Sequence, residues 1–217
     1  MTAVIRGVIL AAGASSRMGQ PKASLPLTDR TDTFLTRLVR TLLAARLPEV
    51  VVVSGAHDAE IRPLLPRDPR VRIVRNADWP HGQLTSLHAA LRLSSRTTRD
   101  EDVEAVLMTL VDVPLVSPAT VSAVVGAWRR TRAPIVRPAR GDTHGHPVVF
   151  DRAIFAELLN ADAAVGAKAV VRARRDEILD LPIEDEGAFL DVDTADEYRA
   201  LRHRLAGEAA LPSVQRP

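Results

Sequence analysis

The stretch that decides the fold is VIRGVILAAGASSRMGQPKASLPL, residues 4–27. An early arginine before a short, alanine-rich apolar run is typical of a secretory signal. A buried strand that runs into a loop with glycines, an arginine and a lysine is typical of an anion-binding site. The apolar segment 7–12 is shorter than the roughly 7–15 residues of a signal-peptide core, and Arg17 and Lys22 follow it closely. The anion-site interpretation is therefore favoured, and we expect a cytoplasmic protein.

The composition is typical of a globular protein and excludes several classes of site. Hydrophobic residues make up 46% of the 217 and aromatic residues 3%, so Val, Leu, Ile and Ala must form the core. Cysteine is absent, which excludes disulfides and thiolate chemistry. Of 29 basic residues only Lys22 and Lys168 are lysines, and the arginines are scattered among acidic residues, which argues against nucleic-acid binding. No apolar run approaches the ~18 residues of a membrane span.

Short apolar runs alternate with helical patterns in the first half of the chain. The runs at 4–10, 50–53, 71–74 and 105–111 are rich in β-branched residues, as strands buried on both faces of a parallel sheet are. Helical spacing lies between them at 34–43, 59–65 and 84–93, and Ser117-Pro118 predicts the start of a fourth helix. This order predicts an α/β fold with a doubly wound, mostly parallel sheet.

The second half is less regular. Strands are predicted at 134–138, 147–150, 178–183 and 188–193, and helices at 152–159 and 167–175. Thr194 to Glu197 form a capping box that opens a last helix. We predict one domain over residues 1–206 with a small inserted sub-lobe, and a loose C-terminal tail over 207–217.

The loop after the first strand is a candidate phosphate site. Ligands of open α/β sheets lie beyond the carboxyl ends of the strands, and Gly13 and Gly19 would let the backbone approach a ligand. Arg17 and Lys22 would supply positive charge. Neither the P-loop pattern nor the dinucleotide pattern fits, because Met18 and Ser15 stand where those patterns need glycine. By spacing alone, an anion site and a tight turn with surface charges both remain open.

Two carboxylates are candidate metal ligands. Asp112 ends an otherwise apolar strand, and Asp193 lies in LDVDTADEY with its side chain on the same face as Asp191. Mg²⁺ is commonly held by one or two carboxylates together with substrate phosphates. The alternatives are that Asp112 accepts amide hydrogen bonds in a turn and that Asp193 sits at a helix N-terminus.

Six segments together resemble one known family. They are VILAAGASSRMGQPK, NADWPHGQLTSLHAAL, LVDVPLVSPATV, RGDTHGHPVVFDRAIF, GAKAVV and LDVDTADEY, in this order over residues 5–200. The chain is similar to the MobA/MocA-like nucleotidyltransferases of the nucleotide-diphospho-sugar transferase (GT-A-like) superfamily. The resemblance implies a GT-A-like fold, with the sub-lobe on the side of the acceptor substrate.

The resemblance also implies roles for individual residues. Arg17, Lys22 and Asp112 would be catalytic, and Asp112 and Asp193 would bind Mg²⁺, with Asp191 as the alternative second ligand. The implied nucleotide-binding residues are Leu10, Ala11, Ala12, Gly13, Gly19, Asn76, Gly82, Gln83 and Ser86. The implied acceptor-binding residues are Gly145, His146, Pro147 and Lys168. The other histidines have no assigned role, and His57 and His203 are predicted to lie on the surface.

The implied reaction transfers a nucleotide from an NTP to the terminal phosphate of a molybdopterin-type molybdenum cofactor. Ala12 in LAAG resembles the cytidylyltransferases, which favours CTP, whereas guanylyl relatives tend to LAGG. LVDVP departs from the usual LGDQP, and GQLTSL departs from GMSSSL, which leaves base and acceptor open. A sugar-phosphate acceptor is an alternative, and so is a non-catalytic module that delivers cofactor to a molybdenum hydroxylase apoenzyme.

Overall fold

The computed structural model describes residues 4–94 and 103–210. The strands are β1 (Val4–Ala11), β2 (Val50–Ser54), β3 (Val71–Arg75), β4 (Val103–Leu110), β5 (Ile135–Arg140), β6 (Thr143–His144), β7 (Val148–Asp151) and β8 (Ile178–Pro182). The α-helices are α1 (Phe34–Ala44), α2 (Asp58–Ile61), α3 (Gln83–Ser94), α4 (Pro118–Thr131), α5 (Phe155–Asn160), α6 (Lys168–Ala173) and α7 (Ala195–Ala210). Short 3₁₀ turns include Lys22–Ser24, Trp79–His81 and Glu186–Ala188.

One mixed sheet carries the fold. Its strand order is β3-β2-β1-β4-β7-β5-β6, with β8 beside β5. The pairs β1–β2, β2–β3, β1–β4 and β5–β8 are parallel, while β7 pairs antiparallel with β4 and β5. The predicted α/β fold with a mostly parallel sheet is confirmed. Because β1 and β4 are parallel neighbours, the loops that follow them leave the sheet at the same edge.

Side chains of the central strands alternate between two cores. Ile5 and Ile9 of β1 pack on one face with α1 and α4, around the fully buried Trp128. Val8 and Leu10 pack on the other face with α3 and α5. Burial on both faces explains why these strands read as continuous apolar runs in the sequence.

A third apolar cluster ties the first loop to the last helix. Met18 from the loop packs there with Phe34 of α1, with Leu201 of α7 and with Val192 from the segment before α7. The Tyr198 hydroxyl donates a hydrogen bond to the carbonyl oxygen of Pro26 at 2.6 Å. Segments from the two ends of the chain therefore meet beside the carboxyl edge of the sheet.

The predicted strand at 188–193 is wrong. This segment begins as the 3₁₀ turn Glu186–Ala188 and continues without regular structure. Its backbone groups are used elsewhere, since the Val192 amide donates to the carbonyl oxygen of Asp112 at 2.9 Å and the Ala188 carbonyl accepts from the amide of His146 at 2.8 Å. The segment thus packs on the turn that follows β4 instead of joining the sheet.

The predicted chain end also needs correction. Helix α7 continues to Ala210, four residues beyond the predicted boundary at 206. The remaining tail residues, 211–217, lie outside the described residues. Two predicted caps are confirmed, because the Ser117 hydroxyl accepts from the amide of Thr120 and Thr194 forms its capping box with Glu197.

No helix in residues 4–94 and 103–210 combines the length and the apolar character that a membrane span requires.

Gly126 lies inside α4, where a Cβ atom would make only an ordinary 3.5 Å contact with the Arg130 side chain. Glycine in a helix interior costs about 0.5–1 kcal/mol relative to alanine. We expect Gly126→Ala to raise the free energy of unfolding by about that amount, measured by urea denaturation followed by circular dichroism. A lower denaturation midpoint would contradict the packing described for this helix.

Candidate active site

The loop that follows β1 has a defined path between Ala12 and the 3₁₀ turn Lys22–Ser24. The amide of Met18 donates to the carbonyl of Ser15 at 2.9 Å, and the Ser15 hydroxyl accepts from the amide of Lys22 at 3.1 Å. Ser15 has a positive φ of 52°, a conformation that costs roughly 1 kcal/mol or more and needs such support. Met18 is buried in an apolar cluster, which anchors the loop next to Arg17, a residue that lines the cleft.

Lys22 joins the two predicted metal ligands. Its ammonium nitrogen lies 3.1 Å from Oδ2 of Asp112 and 2.5 Å from Oδ1 of Asp193. The Lys22 side chain is 11% exposed, against 22% and 32% for the two aspartates. The hydrogen bond from Lys22 is the main reason that the pKa of Asp193 lies below its ordinary value. Residues from three distant parts of the sequence thus form one charged cluster.

Arg17 borders the same cluster. One of its terminal nitrogens lies 3.1 Å from Oδ2 of Asp193, and its side chain is 68% exposed. An ion pair as exposed as this contributes little to stability. The guanidinium can therefore turn toward a ligand with small loss.

The carboxylates fit a divalent cation that is shared with a ligand. Oδ1 of Asp112 is buried and has no hydrogen-bond partner within residues 4–94 and 103–210. Lys22 and Arg17 balance the charges of Asp112 and Asp193, so a bound triphosphate would bring negative charge that these side chains cannot compensate. The described ranges contain no group of three or more His, Cys, Asp or Glu side chains placed to hold a metal. Two carboxylates are the donor set that Mg²⁺ uses when phosphates complete its coordination.

The cluster lines a cleft of about 370 Å³. The predicted site residues that line the cleft are Leu10, Ala11, Ala12, Gly13, Arg17, Lys22, Gly82, Gln83, Ser86, Asp112 and Asp193. Val111 also lines it, whereas Val113 is buried in the core, so of the two departures in LVDVP only the first faces the cleft. Gly19 is not among the lining residues.

Asn76 was predicted to bind nucleotide, but it lies beneath the cleft. It is 4% exposed, and its side-chain nitrogen donates to the hydroxyls of Thr85 at 2.8 Å and Ser86 at 3.0 Å. Its side-chain oxygen accepts from the amide of Asp78 at 2.9 Å. Asn76 therefore fixes the loop between β3 and α3 and positions Ser86.

The segment Gly145-His146-Pro147 lies behind Asp112, outside the lining of the cleft. Burial lowers the pKa of His146, and the charge of Asp112 opposes this shift only in part. The imidazole is therefore neutral at pH 7, and its buried Nδ1 has no hydrogen-bond partner in the described part of the chain.

Lys168 does not reach the cleft in this structure. It is exposed at the first position of α6 and is not a lining residue. The loop before it does border the cleft, since a Cβ atom at Gly82 would lie 3.3 Å from the carbonyl oxygen of Ala163. Asp191 is exposed on the segment before α7, and Asp193, two residues later, is the aspartate that contacts Lys22.

Several lining residues were missed by sequence reasoning. Trp79, Pro80 and Ile61 line the cleft, and the only signal for Trp79 was its place in NADWPHGQ. His57, predicted to be a surface residue, lines the cleft as well and lies 3.1 Å from the carbonyl oxygen of Ala14.

A close approach of two backbones supports the loop that follows β1. The amide of Ala56 donates to the carbonyl of Ala12 at 3.0 Å, and a Cβ atom at Gly55 would lie 2.4 Å from that same carbonyl oxygen. Only glycine fits at position 55 without a shift of the backbone.

The family model of the MobA-like NTP transferase domain matches residues 7–178. The chain belongs to this family. The predicted resemblance and the assignment to the nucleotidyltransferases are confirmed at this level.

Three relatives align over almost their whole length. Nicotine blue oxidoreductase of Paenarthrobacter nicotinovorans is 32% identical, covering 91% of this chain and 96% of that protein. The probable molybdenum cofactor guanylyltransferase of Mycolicibacterium paratuberculosis is 29% identical, covering 93% and 97%. The molybdenum cofactor cytidylyltransferase of Escherichia coli is 23% identical, covering 91% and 95%.

Solved structures share the fold. Rv0371c from Mycobacterium tuberculosis has a TM-score of 0.75 at 29% identity, covering 92% of this chain and 98% of that one. A structure of the same protein in complex with manganese has a TM-score of 0.74 at 27% identity, covering 94% and 100%.

We expect Gly55→Ala to lower the free energy of unfolding by about 1–3 kcal/mol, the usual cost of overpacking, because the added methyl group meets the Ala12 backbone. Gly13→Ala is the matched control, since nothing lies within 4 Å of a Cβ atom at that position. Thermal denaturation of both variants measures the difference. Equal melting temperatures would show that the two loops do not pack as described.

Proposed function

We propose that this protein transfers a nucleotide from an NTP, with CTP favoured, to the terminal phosphate of a molybdopterin-type cofactor and releases pyrophosphate. The observation that carries the proposal is the meeting of Lys22 and Arg17 with Asp112 and Asp193 at the carboxyl ends of β1 and β4. Cations for phosphates and carboxylates for a divalent ion then lie within one cleft. Family membership supports the same reaction class.

The triphosphate would lie along the loop that follows β1. Residues 12–17 line the cleft, and successive backbone amides in such a loop can bind an anion. Lys22 and Arg17 flank this loop and would contact phosphate oxygens. The base would extend toward Trp79, Gln83 and Ser86, which line the same cleft.

Asp112 and Asp193 would hold a divalent cation, with Mg²⁺ favoured. The buried and unpartnered Oδ1 of Asp112 supports this assignment, as does the manganese complex of the Mycobacterium tuberculosis relative. A bound Mg²⁺ neutralises phosphate charge and orients the reacting groups. Asp193 is favoured over Asp191 because it is the one that contacts Lys22.

The nucleophile is an oxygen of the acceptor's terminal phosphate. It forms a bond to the α-phosphorus of the NTP while the bond from that phosphorus to the oxygen bridging to the β-phosphate breaks, and pyrophosphate leaves. A phosphate monoester is largely ionised at neutral pH because its second pKa is about 6. No general base is therefore required. The contribution of Lys22 and Arg17 is alignment and charge stabilisation.

The acceptor would enter from the side of His146 and the loop before α6. The main chain of His146 is held by Ala188, and the loop at Ala163 borders the cleft beside Gly82. Lys168 would need a movement of its loop or side chain to reach an acceptor phosphate. Ala12 favours CTP, while relatives named guanylyltransferases make GTP the main competitor.

A redox role is the second candidate, because the 32% identical relative is named nicotine blue oxidoreductase. The sequence carries no dinucleotide pattern in its first loop, which argues against a redox role.

A screen that follows pyrophosphate release with CTP, GTP, ATP and UTP, with and without molybdenum cofactor, tests the proposed nucleotide transfer. Reduction of nicotine blue by a reduced nicotinamide nucleotide, without pyrophosphate release in any condition, would favour the redox role.

We expect Asp112→Asn to abolish pyrophosphate release while the fold survives, because Lys22 keeps its contact with Asp193. Steady-state pyrophosphate assays and circular dichroism measure the two effects. Asp191→Asn is the matched control, since this exposed carboxylate lies on the same segment as Asp193, and it should retain near-normal activity. Metal-dependent turnover in Asp112→Asn would remove Asp112 from the metal site.

Lys22→Ala should lower kcat by roughly 10²–10³, as the loss of one preorganised electrostatic group does. Rapid-quench measurement of CMP transfer gives the rate of the chemical step. An unchanged kcat would exclude Lys22 from transition-state stabilisation.

Removal of divalent cations with EDTA should stop pyrophosphate release, and addition of Mg²⁺ or Mn²⁺ should restore it, because Asp112 and Asp193 offset the positive charges of Lys22 and Arg17. The coupled pyrophosphate assay measures this directly. Full activity in EDTA would contradict the proposed metal site.

A further inference from the structure

His57 lies between the loop that follows β1 and helix α2. Its Nε2 is 3.1 Å from the carbonyl oxygen of Ala14, and its Nδ1 is 2.9 Å from Oε1 of Glu60. The His57 side chain is 25% exposed and lines the cleft. No role in binding or catalysis followed from its position in the sequence.

Both groups that contact the ring are hydrogen-bond acceptors. A carbonyl oxygen and an ionised carboxylate can only accept, so each ring nitrogen must donate a proton to satisfy them. A neutral imidazole has one N–H, and only the imidazolium has two. The contacts of His57 therefore select its charged form.

The charged groups around the ring favour the same form. Glu60 is its neighbour on α2, where Asp58 is already paired with Arg62. In the same cleft, Arg17 and Lys22 are both paired with Asp193, and Lys22 also with Asp112. Arg17 and Lys22 thus each have a carboxylate partner of their own. The carboxylate in direct contact with His57 is that of Glu60.

We propose that His57, as an imidazolium, is a positioning residue that holds the Ala14 carbonyl away from the ligand and adds positive charge to the nucleotide cleft. With this carbonyl drawn toward α2, the neighbouring amides of the loop are left to face the triphosphate. The proposal rests on the proposed function, because the ligand is an NTP. The His57 imidazolium would be a cation of the cleft that the sequence patterns did not indicate.

The pH dependence follows from the same contacts. Burial lowers the pKa of His57, but the hydrogen bonds to Ala14 and Glu60 outweigh this, so the pKa lies above its ordinary value of 6.5. The charged form is then fully present at low pH and is lost as pH rises through the raised pKa. A bound triphosphate stabilises the imidazolium, so NTP affinity should fall across that interval.

The test compares the dissociation constant of CTP with Mg²⁺ from pH 6 to pH 9 for the wild-type protein and for His57→Gln, which keeps one donor but no charge. We expect wild-type affinity to fall across this range by roughly five-fold or more relative to the variant, the effect of one unit charge near a phosphate. The ligand's own titration is the same in both measurements. His203→Gln, a change at an exposed position on α7, should reproduce the wild-type profile.

Glu60→Gln is the second variant, and it should move the fall in affinity to lower pH because the imidazolium loses its carboxylate. A purely structural His57 would give parallel pH profiles for the wild-type protein and both variants, and this result would overturn the proposal.

An NMR titration of the His57 ring, assigned by its absence in His57→Gln, provides a test without nucleotide. A midpoint above 6.5 that falls in Glu60→Gln supports the imidazolium, and a midpoint at or below 6.5 overturns it. Failure of the wild-type protein to bind CTP or any other NTP would refute the proposed function, while the NMR result would still decide the state of His57.

Discussion

The Lys22 ammonium, held between the carboxylates of Asp112 and Asp193, is the interaction on which the candidate site depends. It joins a loop after β1, a turn after β4 and the segment before α7, which are distant in sequence. Without a cation between them, two carboxylates this close would repel each other. The positive charge of Lys22 thus stabilises the cleft, and under the proposed function it would also contact a bound polyphosphate.

The fold supports this interaction from two sides. Parallel pairing of β1 with β4 brings the loop and the turn to the same edge of the sheet. The apolar cluster that contains Met18 and Val192 then holds residues 190–193 against that edge. The hydrogen bond from the Val192 amide to the Asp112 carbonyl oxygen does the same. Because Val192 faces the apolar cluster, its neighbour Asp193 faces the cleft. The last part of the chain is therefore part of the site and not a peripheral addition.

Sequence reasoning was sufficient where a site residue directly follows a buried strand. Lys22 and Asp112 could be placed together because parallel strands end at the same edge. It was insufficient where packing decides the position. Asn76 has the residue type of a ligand contact, yet its polar atoms are consumed by Thr85, Ser86 and Asp78. His57 contacts Ala14 across 43 residues of sequence, and no local pattern reveals such a contact.

The central claim is that a divalent cation and a triphosphate share the cleft with Lys22, Asp112 and Asp193. A crystal structure with a non-hydrolysable CTP analogue and Mn²⁺ tests it most directly, because Mn²⁺ gives an anomalous signal. We predict an anomalous peak within coordination distance of Asp112 and Asp193, with Lys22 in contact with the triphosphate. A well-ordered nucleotide bound elsewhere on the protein, with no peak beside these carboxylates, would contradict the account.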